Sequence, residues 1–162
     1  MTAAAEGGGS AGTCGRDHHS LVTERFVACA ALLPEPMLFW TLETFGVTPA
    51  DIARTNYACF LEVISNGTQE SALRLALQYV NDPVRAITSG DFRCLRAACR
   101  RNMSDVVLWM CACLKPRETV VLDDETFFGI RRAYAYCLKN MLVQPGNILQ
   151  SWFHIRVPPK RT

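Results

Sequence analysis

Histidine is scarce in this chain: His18 and His19 lie near the start, His154 near the end, and there are no others. A cysteine nucleophile needs a nearby base, and only His154 could act as one. Nucleophile-elbow, phosphate-loop and metalloprotease patterns are missing, and Gly90 stands alone rather than in a glycine-rich cradle. These absences argue against an enzyme and against a bound cofactor. Long apolar runs are missing too. The longest, Val106 to Leu114, falls well short of the roughly 20 residues that a membrane-spanning helix needs. Met1 to Gly15 is rich in Ala, Gly and Ser and carries no basic-then-apolar signal, so an intracellular location, cytoplasmic, nuclear or both, is expected. Neither sign of charge dominates. A formal net charge of +2 is too small to argue for nucleic acid, and the aromatics are not interleaved with the basic residues as a base-stacking surface requires.

Cysteine, by contrast, is plentiful, with eight residues. Cys29, Cys59, Cys94, Cys99, Cys111, Cys113 and Cys137 lie in apolar helical stretches rather than among turns, which is unlike a secreted disulfide scaffold. They read as small hydrophobes at tight helix contacts. Structural zinc favours paired knuckles with loops between them, and the spacing of Cys94, Cys99, Cys111 and Cys113 does not supply that, so no metal site is expected.

The pattern of apolar residues and breakers predicts helices almost throughout. A leader over residues 1–19 precedes one helical domain over 20–156, and a basic, Pro-rich tail covers 157–162. The first helix is expected from Leu21 to Leu33, after the possible cap Ser20, and the next over 36–45, ending at Gly46. A pair is expected over 50–64 and 68–80, split at Asn66-Gly67. A short helix or turn at 83–89 leads to Asp91 as a plausible N-cap. Further pairs are expected over 92–101 and 104–114, and over 124–140 and 146–154. Thr119 to Leu122 is the one short candidate strand.

These pairs recur. Segments headed by Phe26, Phe60 and Leu95 repeat at steps of 34 and 35 residues (26 to 60, 60 to 95). A period of that size marks stacked helix pairs, which bind proteins more often than they perform chemistry. Leu95 to Met110 resembles the helix-turn-helix half of an ankyrin repeat: small residues mark the inner helix, and Asn102 stands where the family has a left-handed glycine. Ser65-Asn66-Gly67 resembles the same turn in the preceding unit. The family's Thr-Pro-Leu-His opening is absent from every unit. In a fourth unit, Cys137 to Met141 echoes Cys99 to Met103, and Val143 to Gly146 reads as about four extra residues. The resemblance implies an all-α stack of helix-turn-helix repeats, an ankyrin-like solenoid. The alternative is a compact bundle of Bcl-2-like type, including its divergent viral members. Asp124 to Arg132 faintly resembles that family's groove segment, and Val106 to Leu114 could serve as its central helix. Such a bundle would capture an amphipathic helix and modulate apoptosis or host signalling.

A repeat stack would act as a protein-binding adaptor through its inner-helix face. Arg93, Arg96 and Arg100 share one side of their helix. Arg85 precedes them, and Arg131, Arg132 and Lys139 lie on the counterpart in the fourth unit. Together they would face an acidic segment of a partner, arginine being suited to bidentate carboxylate contacts. Trp40 and Trp109 are expected to be equivalent and to fill the core. Trp152 is either a capping contact or an exposed anchor. Homo-oligomerisation remains open at this point.

Overall fold

A computed structural model of the chain describes residues 24–157. The leader, the start of the first helix with Ser20, Cys14, the two leading histidines and the end of the tail lie outside the described residues. Within them the fold is all-α. In chain order the helices are α1 (24–30), α2 (Glu35–Thr44), α3 (Pro49–Arg54), α4 (Ala58–Asn66), α5 (Gln69–Tyr79), α6 (Pro83–Arg100), α7 (Ser104–Leu114), α8 (Asp124–Lys139) and α9 (Val143–Phe153). Thr119 to Leu122, the expected strand, is turn and irregular backbone. It has no neighbouring strand to pair with among the described residues, and an isolated strand leaves its backbone groups unsatisfied.

Four antiparallel hairpins carry the core: α1–α2, α4–α5, the second half of α6 with α7, and α8–α9. Their first helices touch in sequence, α4 on α6 and α6 on α8, and so do their second helices, α5 on α7 and α7 on α9. The buried positions follow one rule. In the first helices they are Val27, Ala30 and Ala31, then Phe60, Val63 and Ile64, then Leu95, Ala98 and Cys99, then Tyr134 and Cys137. In the second helices they are Leu38, Phe39 and Leu42, then Ser71, Ala72 and Leu75, then Val106, Val107 and Met110, then Pro145, Gly146 and Leu149. Both sets advance by 33, 35 and 39 residues (27 to 60 to 95 to 134).

That register corrects three sequence expectations. Val27 rather than Phe26 begins the first unit, because a one-residue slip at an apolar pair leaves the helical periodicity almost intact. The same slip separates the tryptophans: Trp40 falls at the position of Leu108, not Trp109, and is 64 % exposed. Trp109 does pack inward, edge-on to Phe60 with ring centroids 6.0 Å apart. In the last unit Cys137 corresponds to Ala98 and not to Cys99. Val143 to Gly146 are therefore not an insertion but the first turn of α9, where proline is tolerated because the early N–H groups have no partner in the helix.

The hairpin turns show why. Asn102 is left-handed, φ 53°, as expected, and Met141 takes the same conformation, φ 57°. Each closes a Schellman cap, with Met103 N–H donating to the Ala98 carbonyl at 3.0 Å and Leu142 N–H to the Cys137 carbonyl at 2.9 Å. The Asn66-Gly67 turn is built differently. Gly67 is extended, and glycine is needed there because a Cβ would lie 2.6 Å from the Val63 carbonyl oxygen. Thr68 then caps α5 by accepting from Ser71 N–H at 3.1 Å.

A second backbone device precedes two of the hairpins. Asn56 and Tyr57 are both left-handed just before α4. Thirty-five residues on, Asp91 and Phe92 are left-handed after Gly90, and the three break α6 into a first half (83–88) and a second half (93–100). Asp91 is thus no N-cap; it sits inside a left-handed bend. Phe92 projects onto Gly129 of α8, where an added Cβ would stand 2.0 Å from the ring. Glycine at that point in the helix lets the ring and backbone meet.

Candidate functional site

The seven expected contact residues do not form one surface. Arg93 and Arg132 occupy equivalent positions, 39 residues apart, and both are engaged within the fold. Arg93 donates to the carbonyl of left-handed Asn56, and its Nε is buried without a hydrogen-bond partner. Arg132 donates to Asp91 Oδ1, and its guanidinium lies 5.0 Å from the centre of the Phe128 ring. Arg96 meets the other oxygen of Asp91 at 3.3 Å. Asp91 therefore pairs with two of the cations expected to face a partner. Arg101, which was not among the expected contact residues, donates to the Ser65 and Gly67 carbonyls, the latter at 3.0 Å, and ties the turn of one hairpin to that of the next.

Arg85, Arg100 and Arg131 are exposed and have no ion-pair partner among the described residues. Arg85 stands apart, in a shallow cavity with Arg54, Tyr57 and Asp82. Arg100 lies at the C-terminal end of α6, and Lys139 lies at the equivalent position of α8, also exposed. Adjacent packed helices run 8–10 Å apart, so these two cations form a neighbouring pair, each favourably placed against the partial negative charge of its helix C-terminus. Arg131 belongs elsewhere. It corresponds to Phe92, whose ring faces the next hairpin, and so lies on the end of the row rather than with Arg93, Arg96 and Arg100.

Trp152 is half-exposed and pinned: its indole N–H donates to the Lys115 carbonyl at 3.2 Å, satisfying one of the open carbonyls at the end of α7. Of the cysteines, Cys59, Cys94, Cys99, Cys111 and Cys137 are buried, whereas Cys29 is exposed and Cys113 partly so. Cys29 thus departs from the expected packing role. Burial pushes the thiols of Cys59, Cys94 and Cys111 up to about 12. A hydrogen bond with Cys137, and then burial, holds Cys99 firmly protonated. Such thiols fill space and are poor nucleophiles. Among the described residues no group of three or more histidine, cysteine or acidic side chains is arranged to hold a metal, and no helix is long and apolar enough to cross a membrane.

No family model, curated protein or solved structure matches the chain. Its function has to be argued from its own surfaces.

Proposed function

We propose that the chain is a non-enzymatic protein-binding module, a divergent ankyrin-type stack acting as an intracellular adaptor. It binds an acidic segment of a partner protein along the exposed ends of its inner helices. The observation that carries this reading is the pair Arg100 and Lys139: equivalent positions on neighbouring helices, both exposed and both without an ion-pair partner among the described residues. Arg96, which is shared with Asp91, supplies a third cation beside them. Support for the stack comes from the common register of buried positions and from the like-with-like packing of first and second helices, as expected where each repeat contacts its neighbours. A bundle would need a central helix. The candidate, α7, keeps Leu108 exposed while it packs on α5, α6 and α9.

The test is affinity capture from the native cell type, read by mass spectrometry. Wild type is compared with an Arg100→Glu/Lys139→Glu variant whose helicity is confirmed by circular dichroism. Arg93 and Arg132 are left alone, because their loss would unseat the bends they hold. Selective loss of a partner from the variant is the expected result. An unchanged set of partners would remove the inner-face cations from the site.

A further inference from the structure

The last hairpin ends on a surface whose equivalent, one unit earlier, is covered by a helical hairpin. At Cys99, on the third unit, the side chain is 0 % exposed because α8 lies across it. The equivalent residue of the fourth unit, Leu138, is 54 % exposed. Ser104, whose hydroxyl donates to Gln144 of α9 at 3.2 Å, is replaced in the fourth unit by Val143, 67 % exposed. Polar Asn102 is replaced by Met141, 85 % exposed. At all three positions, the last unit carries a larger or more apolar side chain than the covered unit before it. A repeat face left to water carries polar residues. Between α8 and α9 this face is indented by a cavity of about 260 Å³, lined by Tyr134, Cys137, Leu138, Met141, Leu142 and Val143.

Charge identifies what kind of chain could cover it. After Glu125 the sequence contains no acidic residue at all, while Arg131, Arg132 and Lys139 lie on α8. Arg131 stands two turns before Leu138 on the same stripe of the helix and has no ion-pair partner among the described residues. Two copies of the chain meeting through these faces would bring unpaired cations together with no acid between them, and like charges in an interface suppress association.

We infer that the α8–α9 end of the chain is a second docking surface, which receives an amphipathic helix bearing acidic residues beside its apolar stripe. Leu138 and Val143 take the place of the buried Cys99 and the half-buried Ser104 and anchor the apolar side, with Met141, where the exposed Asn102 stood, beside them. Arg131 pairs with a carboxylate at its edge. The site is separate from the Arg100–Lys139 pair and does not depend on the role proposed for that pair.

The probe is a fluorescein-labelled synthetic peptide of leucine and glutamate in a helical amphipathic pattern, with a matched leucine–lysine peptide as control. Both are titrated against the full chain by fluorescence anisotropy. The glutamate peptide should bind and the lysine peptide should not. Leu138→Glu/Val143→Glu should weaken binding roughly tenfold or more, as loss of buried anchors does. Arg131→Glu should weaken binding and flatten its salt dependence, and this single exposed substitution remains informative if the double variant is poorly folded. Arg25→Glu, on α1 and outside both proposed sites, should leave it unchanged. Equal binding of the two peptides, or indifference to Leu138 and Arg131, would overturn the inference. So would a wild-type dimer in sedimentation velocity that Leu138→Glu converts to monomer, because a second copy would then be the occupant.

Discussion

Arg132 of α8 holds Asp91 just as Arg93 of α6 holds Asn56. In each case an arginine near the start of one hairpin's useful core reaches back to a left-handed residue that precedes the previous hairpin's first helix. The contacts differ in chemistry, a carboxylate in one and a backbone carbonyl in the other, but they occupy the same place in the repeat. An L-residue in this conformation costs roughly 1–2 kcal/mol. Two such residues in succession, Asn56-Tyr57 and Asp91-Phe92, persist only where their surroundings hold them. The arginines are part of that hold, together with the burial of Tyr57 and Phe92.

Asp91 separates the two contributions. Asp91→Ala removes both ion pairs and keeps the backbone cost, and should lower stability by about 1–2 kcal/mol. Asp91→Gly removes the same pairs but relieves the left-handed backbone, and should lie well above the alanine variant. Urea unfolding of the two variants beside wild type measures the difference. If glycine and alanine are equally damaging, the ion pairs and not the backbone govern the bend.

Gly129 gives a sharper contrast with ordinary helix behaviour. In an exposed helix interior, glycine to alanine stabilises by about 1 kcal/mol. At Gly129 the new methyl would overlap the Phe92 ring, which it would approach to 2.0 Å. Gly129→Ala should therefore destabilise, by an overpacking cost of about 1–3 kcal/mol. Adding Phe92→Leu should recover part of that loss, although the same substitution alone destabilises. Thermal unfolding of both single variants and the double variant forms a cycle, and additive losses would show that the two residues do not meet as described.

These contacts also mark where the sequence stopped being legible. The helices and the left-handed turn at Asn102 could be read, because apolar spacing and asparagine's backbone tolerance are local signals. Met141, Tyr57 and Phe92 carry no such signal. They are bulky residues in a conformation that L side chains avoid; burial holds Tyr57 and Phe92 there, and the closing of the α8–α9 turn places Met141. The row of arginines on α6 was legible as a helix face, but its engagement within the fold was not, since Arg93 reaches Asn56 across 37 residues of sequence. Phe26 beside Val27, and Cys137 opposite either Ala98 or Cys99, each offered two registers that periodicity alone could not separate.

Cysteine reactivity should follow burial and not number. With Cys14→Ser in place, Cys29 should react first with a thiol reagent in the native protein, and Cys113 more slowly. Cys59, Cys94, Cys99, Cys111 and Cys137 are buried; burial raises the thiols of Cys59, Cys94 and Cys111, and the hydrogen bond with Cys137 followed by burial raises that of Cys99, so little thiolate forms in these four near neutral pH. They should react only as the protein opens, at a rate that rises with urea. Mass spectrometry of the labelled peptides assigns each site. Fast native labelling of Cys99 or Cys137 would show that the seam between α6 and α8 opens readily.

Asp123 supplies a pH-dependent element at the start of α8. Its carboxylate accepts from the Thr126 N–H and from the Thr126 hydroxyl, each at 2.8 Å. The backbone bond first and the hydroxyl second hold its pKa below the ordinary aspartate value. A folded-state pKa lower than the unfolded one, which is about 3.9, means that the cap's contribution is present above the unfolded value. It is lost as pH falls through the folded value. Asp123→Asn keeps an acceptor oxygen for the N–H but carries no charge at any pH. Wild type should therefore be the more stable of the two near neutral pH, and its advantage should shrink below about pH 4. Subtracting one urea midpoint from the other across that range cancels the titration of the remaining acids. A difference that stays flat with pH would mean that the charge of Asp123 contributes nothing to the cap.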